Sequence, residues 1–509
     1  MREPTRRQTL LGLGAGAAGI GGYWALRGDS AEDDTFRVGS PWTPDSVDPI
    51  ANGWLWRRIS VVEPLLTVGY DANVEPGLAT DWGMVDDETW EFTLREGATF
   101  HDGTALTAET ALPSLRRAFE SSSLAAVPVE SIEATDERMI TMRTDGPFSP
   151  LPAHCTRGET CPVSPAAITD DGSIDEPIGT GPYRFESWEQ GTSITATAYP
   201  DYHGGRARIG KLVYEGVHDD QTRRLKLQND ELDMARLLPN ETVDSLRSRG
   251  DLTAHTYEIP RARYLVFDVD SSPFADRRVR RAVMHAIDRD AIVDSLLNGL
   301  GSAAVGPFPS SVTDWAAADL EPYAFDPERA RTLLAAAGWE SDGEGRSRDG
   351  ESLSVTLWTY SSRPLLPTIA QVLQTRLRAV GFDVEVETME SATIKEQAKN
   401  GPFDAFLWSN SVLWYPDPDR LSDFVHSEWS TMHSGYENET VDRLLEEARR
   451  MAGRDERFER YAEVQRIVQR DLPVGWLTYY TNVHGTRADV DGYRPHPIES
   501  CYHLEEVTD

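Results

Sequence analysis

Apolar and polar positions recur with two different periods along this chain, and the two periods mark separate kinds of element. FRVGS (36–40) predicts a first strand. In TWEFTLREGATF (89–100), Trp90, Phe92 and Leu94 fall on one face at period two, which predicts a half-buried strand with a turn at His-Asp-Gly after it. The spacing lengthens to a helical one in LTAETALPSLRRAFE. SITATAYPDYHGG (193–205) predicts another strand closed by Gly-Gly, and ARIGKLVYEGV (207–217) continues the mixed pattern. From residue 276 the stripe Val279, Val283, Ile287 predicts an amphipathic helix; Ile292, Leu296 and Gly299 serve a second helix and its C-cap. DPERARTLLAAAGW repeats the device, with Asp326 as N-cap, Pro327 in the first helical position and Gly338 as stop.

LSVTLWTY (353–360), TIAQVLQTRLRAVG and FDVEVETM read in turn as strand, helix and strand, a βαβ unit that implies a parallel sheet covered by helices. Ligands of such sheets sit beyond the C-terminal ends of the strands. Arg363 lies just past the end of LWTY, where a binding charge belongs.

A chain of 509 residues exceeds what one hydrophobic core supports, so two or three domains are expected. Hydrophobic residues at 39% spread over its whole length exclude a disordered or fibrous class. The 84 acidic residues against 50 basic ones give a net charge of −34, which excludes nucleic acid as a partner. Only Lys211, Lys226, Lys395 and Lys399 are lysines. An acid-rich, lysine-poor surface suits molar salt, where the Debye length falls to about 3 Å. A halophilic, archaeal source is therefore expected, with a GC-rich genome as the competing explanation.

TRRQTLLGLGAGAAGIGGYWAL sets Arg6 and Arg7 before the uncharged residues 8–26, the layout of a twin-arginine export signal. As a helix the uncharged run would reach about 28 Å, close to the roughly 30 Å bilayer core. Cleavage and retention as an anchor both stay open. Cys155 and Cys161 in HCTRGETC are candidates for a small loop disulfide or plain thiols, with Cys501 left over. His154 beside Cys155 gives a zinc site only two cysteines and one histidine, an incomplete set.

EPLL, GLATDW, TWEFTLREGATFHDGTALTAE, GTGPYRFESWEQG, YHGGRARIGKLVYEG, LQNDELDMA, PFADRRVRRAVMHAIDRDAIV, DPERARTLLAAAGW and LPVGW occur in this order between about residue 36 and the end. In this the chain resembles the family 5 solute-binding proteins of ABC importers, which capture peptides, some sugars and nickel complexes. The resemblance implies an α/β, two-lobed fold of the periplasmic-binding-protein type (type II, cluster C) with an additional inserted domain. Residues 1–35 would be signal or anchor plus linker. Residues 36–58, 177–266 and 478–509 would form lobe I, residues 59–176 the inserted subdomain, and residues 267–477 lobe II, with hinge crossings near 266 and 478. It further implies an extracytoplasmic monomer that binds a small-molecule ligand, a peptide or a metal chelate, and hands it to ABC permease subunits. No cofactor and no covalent chemistry is implied.

Dipeptide-binding members hold the ligand carboxylate with an arginine in a stretch similar to SRPLLP, which falls on Arg363. A guanidinium suits a carboxylate through two parallel hydrogen bonds, and a structural ion pair is the competing reading. The acid that such members use for the ligand amine is replaced here, in FDAFLWSNSVLWYPDPDRL, by Leu413 or Trp414. Asp417 and Asp419 are the acids nearby that offer compensation. Trp42 on lobe I, with Trp408 and Trp414 on lobe II, are expected as aromatic walls of the cleft. Nickel-binding members also lack the amine-binding acid, and the loop FVHSEWSTMHSGY carries His426 and His433. Of these His433 is the candidate metal ligand, against a solvated loop histidine.

Other motifs have plainer readings. FHDGT reads as a turn before a ligand contact. GTGPYRF lacks the Lys-Ser/Thr of a phosphate loop, and RRVRRA reads as a solvated or ion-paired helix face before a permease contact. A secreted hydrolase is the remote alternative, but no G-x-S-x-G or H-E-x-x-H is present. A receptor that signals occupancy to a different partner stays open.

Overall fold

The computed structural model describes residues 34–508 apart from 342, 344 and 364, so the twin-arginine segment with Arg6 and Arg7 lies outside the described residues. One ten-stranded mixed sheet runs through the molecule in the order 383–389, 354–360, 405–411, 252–267, 474–487, 234–235, 35–40, 211–216, 193–198, 183–189. Two long strands, Leu252–Phe267 and Val474–Arg487, pair antiparallel at its centre and belong to both halves. On one side of them the sheet is parallel where 354–360 meets 383–389, with the helix Leu366–Arg378 between the two strands in sequence. This is the βαβ unit expected from the alternation of periods.

The predicted strand in 89–100 ends early, at Leu94. Arg95 and Glu96 lead into Gly97, whose φ of +74° turns the chain. The helix after it, Ala108–Phe119, tolerates Pro113 in its interior and starts with a reciprocal Thr107–Thr110 capping box. Helix Pro327–Ala336 has Asp326 as N-cap and Gly338 at φ +89° after its end, as read from sequence. The second of the two helices expected after residue 276 is only a short turn, Arg289–Ala291, followed by a π-helical Ile292–Leu296.

Burial divides into three main cores. One gathers Phe36, Val38, Trp56, Tyr183 and Tyr214 with the C-terminal Tyr502 and Leu504. A second is built on the separate four-stranded sheet within residues 79–144, around Phe92, Leu115 and Met142. The largest is drawn from residues 262–479 together with Ala72, around Tyr264, Phe267, Leu373 and Trp476. The fold is thus α/β and two-lobed, with the four-stranded unit beside one lobe.

The central strand pair is irregular where the halves join. Ile259 opposes Tyr480 and Ala262 opposes Tyr479, so Pro260 and Arg261 are extra residues on the first strand; Leu477 is extra on the other strand between Thr478 and Trp476. Pairing of 252–267 with the next strand, 405–411, begins only at Arg261 opposite Ser411. Bulges bend a strand and re-aim its side chains. Here they do so beside a cavity.

Candidate ligand site

A cavity of about 270 Å³ lies on the seam, lined from one side by Trp42, Arg57, Arg58 and Arg157 and from the other by Arg363, Leu413 and Trp414. Arg57 and Arg58 close helix Pro49–Arg58, where the C-terminal end of the dipole favours cations. That helix lies against the turn Gly158–Thr160 through two glycines. A Cβ on Gly53 would stand 2.1 Å from the Gly158 carbonyl oxygen, and one on Gly158 2.3 Å from the Gly53 carbonyl carbon. The two backbones touch, and this close approach sets Arg57 beside Arg157.

The cavity carries five arginines, Arg57, Arg58, Arg157, Arg261 and Arg363, against two carboxylates, Glu159 and Glu499. Glu159 is engaged by Arg157 at 2.7 Å. Glu499 accepts hydrogen bonds from Nε and Nη2 of Arg261 at 3.1 and 3.0 Å. Arg58 donates to the backbone carbonyl of Glu499 through Nε and Nη2 at 2.9 and 2.7 Å, and to the Tyr214 hydroxyl at 3.2 Å. Arg236, fully buried behind the cavity, reaches Glu499 at 3.5 Å, and its three guanidinium nitrogens make no hydrogen bond among the described residues. Its charge is shared with the rings of Trp42 and Tyr502, 5.5 and 5.1 Å away.

The titration behaviour reports an excess of positive charge. Burial alone would raise the Glu499 carboxyl, yet Arg261, Arg363, Arg236 and Arg58 outweigh it and hold the group well below the usual carboxylate range. Burial would also raise the Tyr214 and Tyr480 phenols. Arginines instead keep both below their ordinary value: Arg58 and Arg236 at Tyr214, Arg263 and Arg363 at Tyr480. Burial, then Arg58, pushes Arg236 down to about 10.

Residues 73–431 match the model of a family described as "Bacterial extracellular solute-binding proteins, family 5 Middle". The chain belongs to this family. Family 5 proteins are extracytoplasmic transport binding proteins and not enzymes, and this member is 30% identical over 473 residues to Protein XP55 of Streptomyces lividans, 88% of this chain and 84% of that one. It is 26% identical over 460 residues to the oligopeptide-binding protein AppA of Bacillus subtilis, covering 85% of this chain and 83% of AppA. Among solved structures, NikA from Brucella suis in complex with Fe(III)-EDTA superposes with a TM-score of 0.85 at 22% identity, over 93% of this chain and 99% of that one. This last likeness is one of fold.

In this family 5 protein, Arg363 and Trp42 come together across the seam, the guanidinium carbon 5.4 Å from the ring centroid. Arg363 makes no hydrogen bond or ion pair with a described residue, so the structural ion pair weighed against ligand binding is not formed. Trp414 lines the cavity and is 41% exposed, a large value for tryptophan, and the neighbouring Leu413 is buried on the same wall.

Three other residues stand elsewhere. Trp408 is a core residue and not a cleft wall: its ring packs on Tyr360 and Phe406 at 4.4 and 5.8 Å, because its strand is buried on both faces. Asp417 is buried, pairs with Arg457 at 2.7 Å, caps the turn Pro418–Leu421 and lies outside the cavity lining. Burial raises its pKa even against Arg457. His433 is exposed on a loop with φ +54°, outside the cavity lining, and no group of three metal-ligating side chains occurs among the described residues.

Cys155, Cys161 and Cys501 are buried free thiols. His154 is packed at 4.1 Å on Tyr415, and burial holds it well below the ordinary histidine range. The FHDGT stretch is a turn: His101 is buried against the Gly181 carbonyl at 2.9 Å. In RRVRRA, Arg277 and Arg278 are ion-paired with Asp471 and Asp276.

Sequence reasoning missed Arg57, Arg58, Arg157, Arg261 and Glu499. One signal was present: in IPRARYLVF, Arg261 and Arg263 fall on the same face of a strand that continues into an unbroken apolar run. Charges at such positions need a special partner.

Proposed function

We propose that this protein captures a peptide or similar small solute outside the cytoplasm and delivers it to the permease of an ABC importer by closing its two lobes. The observation that carries the reading is the arginine-lined cavity on the seam, where Arg363 of one lobe meets Trp42 of the other. Closure has contacts to complete it: Ser149 donates its backbone N–H to the Arg449 carbonyl at 2.8 Å and its hydroxyl to the Met451 carbonyl, joining the four-stranded unit to the opposite lobe. We take the lobes as residues 36–58, 177–266 and 478–509 against 267–477, with 59–176 inserted, and the bulges at 259–264 and 476–480 as the flexing point. Arg363, Trp42 and Trp414 are the ligand-binding residues in this reading.

A metal chelate is the second reading, supported by fold likeness to NikA complexes. The metal would then be held through its chelator, since the cavity offers guanidinium donors and no cluster of metal ligands among the described residues. Protein purified from its native source, analysed by mass spectrometry and metal analysis for a bound solute, and followed by small-angle scattering with and without that solute, tests capture and closure together. A scattering radius that does not shrink on binding removes the hinge.

A further inference from the structure

The charge balance of the cavity narrows what the captured solute is. Arg57 spends its two Nη atoms on neutral oxygens, the Thr156 carbonyl and the Thr67 hydroxyl. Arg58 likewise bonds a carbonyl and a phenol, and Arg363 only faces a ring. Both carboxylates in the lining are already engaged by arginine. The acids of the nearby loop are also committed: Asp417 to Arg457, and Asp419, through two hydrogen bonds at 2.8 and 3.0 Å, to Arg449. Among the described residues the cavity therefore holds surplus guanidinium charge from both lobes and no unengaged carboxylate to receive a cation. It does so inside a molecule whose net charge is −34, so the positive potential is local and built by placement.

We propose that the ligand carries at least two acidic groups and no ammonium group, a di- or tricarboxylate or an equivalent oxyanion, with one acid on Arg363 over the Trp42 ring and another on Arg57 and Arg58. Guanidiniums accept such groups through paired charge-assisted hydrogen bonds, which a single chloride cannot reproduce. An ammonium placed in the same space would meet like charge with no counter-charge left to offset it, which is how a site rejects a competitor. Apolar surface from Leu413, Ile259 and Pro497 in the same lining suits a carbon skeleton between the acids. The inference rests on the capture reading above and adds the chemical class.

The test compares N-acetyl-Glu-Glu with Glu-Glu and Gly-Gly by calorimetry in molar KCl, on the wild-type protein and on Arg363→Ala, Arg363→Lys and Trp414→Asp. The acetylated peptide is expected to bind at least tenfold more tightly than its free-amine twin. Arg363→Ala should weaken it more than tenfold at unchanged melting temperature, Arg363→Lys should weaken it less, and Trp414→Asp should narrow or reverse the preference. Equal or tighter binding of Glu-Glu or Gly-Gly by the wild type overturns the inference and leaves capture standing. Should none of the three bind, the copurifying solute decides: a polyacid without an amine supports the inference, and a solute bearing an ammonium overturns it. A protein that binds none of them and carries no solute from its source overturns the capture reading itself.

Discussion

Arg261 and Glu499 meet through two hydrogen bonds of 3.1 and 3.0 Å at the bulge in the central strand pair. Among the described residues Glu499 is the one carboxylate ion-paired with Arg261 and Arg236, and its backbone carbonyl also holds Arg58. A single acid from the C-terminal tail thus neutralises part of an arginine cluster that the strands and helix Pro49–Arg58 bring together.

Glu499→Gln should therefore destabilise the protein by about 3–5 kcal/mol, the usual consequence of stranding a buried charge. Guanidinium chloride unfolding at constant ionic strength would obscure anion rescue, so thermal unfolding with and without added tricarboxylate is the better measurement. The variant's melting temperature should fall and recover partly with the polyanion. An unchanged melting temperature would mean that solvent already screens the cluster.

Arg363 has no hydrogen-bond or ion-pair partner among the described residues and only faces the Trp42 ring, so Arg363→Ala should leave stability within about 0.5 kcal/mol of wild type while ligand affinity falls by about 2–5 kcal/mol, or tens to thousands of fold. Calorimetry beside a melting curve separates the two effects. Unchanged affinity would remove Arg363 from the site.

Trp414 stands between the cavity of about 270 Å³ and an adjoining one of about 380 Å³, and both are lined by it and by Arg157. Trp414→Ala should join the two spaces. In a series of N-acetylated oligoglutamates, the length bound most tightly should increase in the variant, read by competition against a fluorescent ligand. The same optimum in both proteins would show that Trp414 does not limit ligand length.

Burial lowers His101 to about 4 and His496, helped by His503 and Arg57, to about 3, so both are neutral in the fold. Because their folded pKa values lie below the ordinary 6.5, the unfolded chain binds more protons as pH falls. Stability is fully present above pH 6.5 and is lost between 6.5 and about 3–4, by about 1.4 kcal/mol per pH unit for each group. Urea unfolding at pH 7.5, 6 and 5 in constant molar salt should show this slope, and His101→Gln should flatten it. A slope unaffected by that substitution would point to other groups.

The charge of −34 with four lysines predicts a salt requirement. Moving the protein from molar KCl to dilute buffer should lower its melting temperature, since self-repulsion is no longer screened. Equal stability in both would favour the genome-composition explanation for the lysine deficit.

The elements were legible because each follows from a local period: alternation gave Thr89–Leu94 and Ser193–Ala198, and the βαβ unit of residues 354–389 was readable from strand, helix and strand in succession. Asp326 and Gly338 act through bonds and dihedrals within a few residues of themselves. The position of Arg363 after a strand end was equally local, as was the absence of an acid at Leu413 and Trp414. Trp408 looked like Trp414 in sequence, and Asp417 and Asp419 like acids free to reach the cleft, because a short aromatic and acidic run does not state which side chains face the cavity.

What sequence alone determined, then, is family membership, the alternation of elements and the charge budget of the whole chain. Which charges gather was decided only in three dimensions. Arg58 and Glu499 are 441 residues apart, and Arg261 and Glu499 are 238 apart. The contact between Gly53 and Gly158 and the two bulges in the central strands set those guanidiniums around one space. Electrostatic potential depends on distance through space, and chain order carries no measure of that distance.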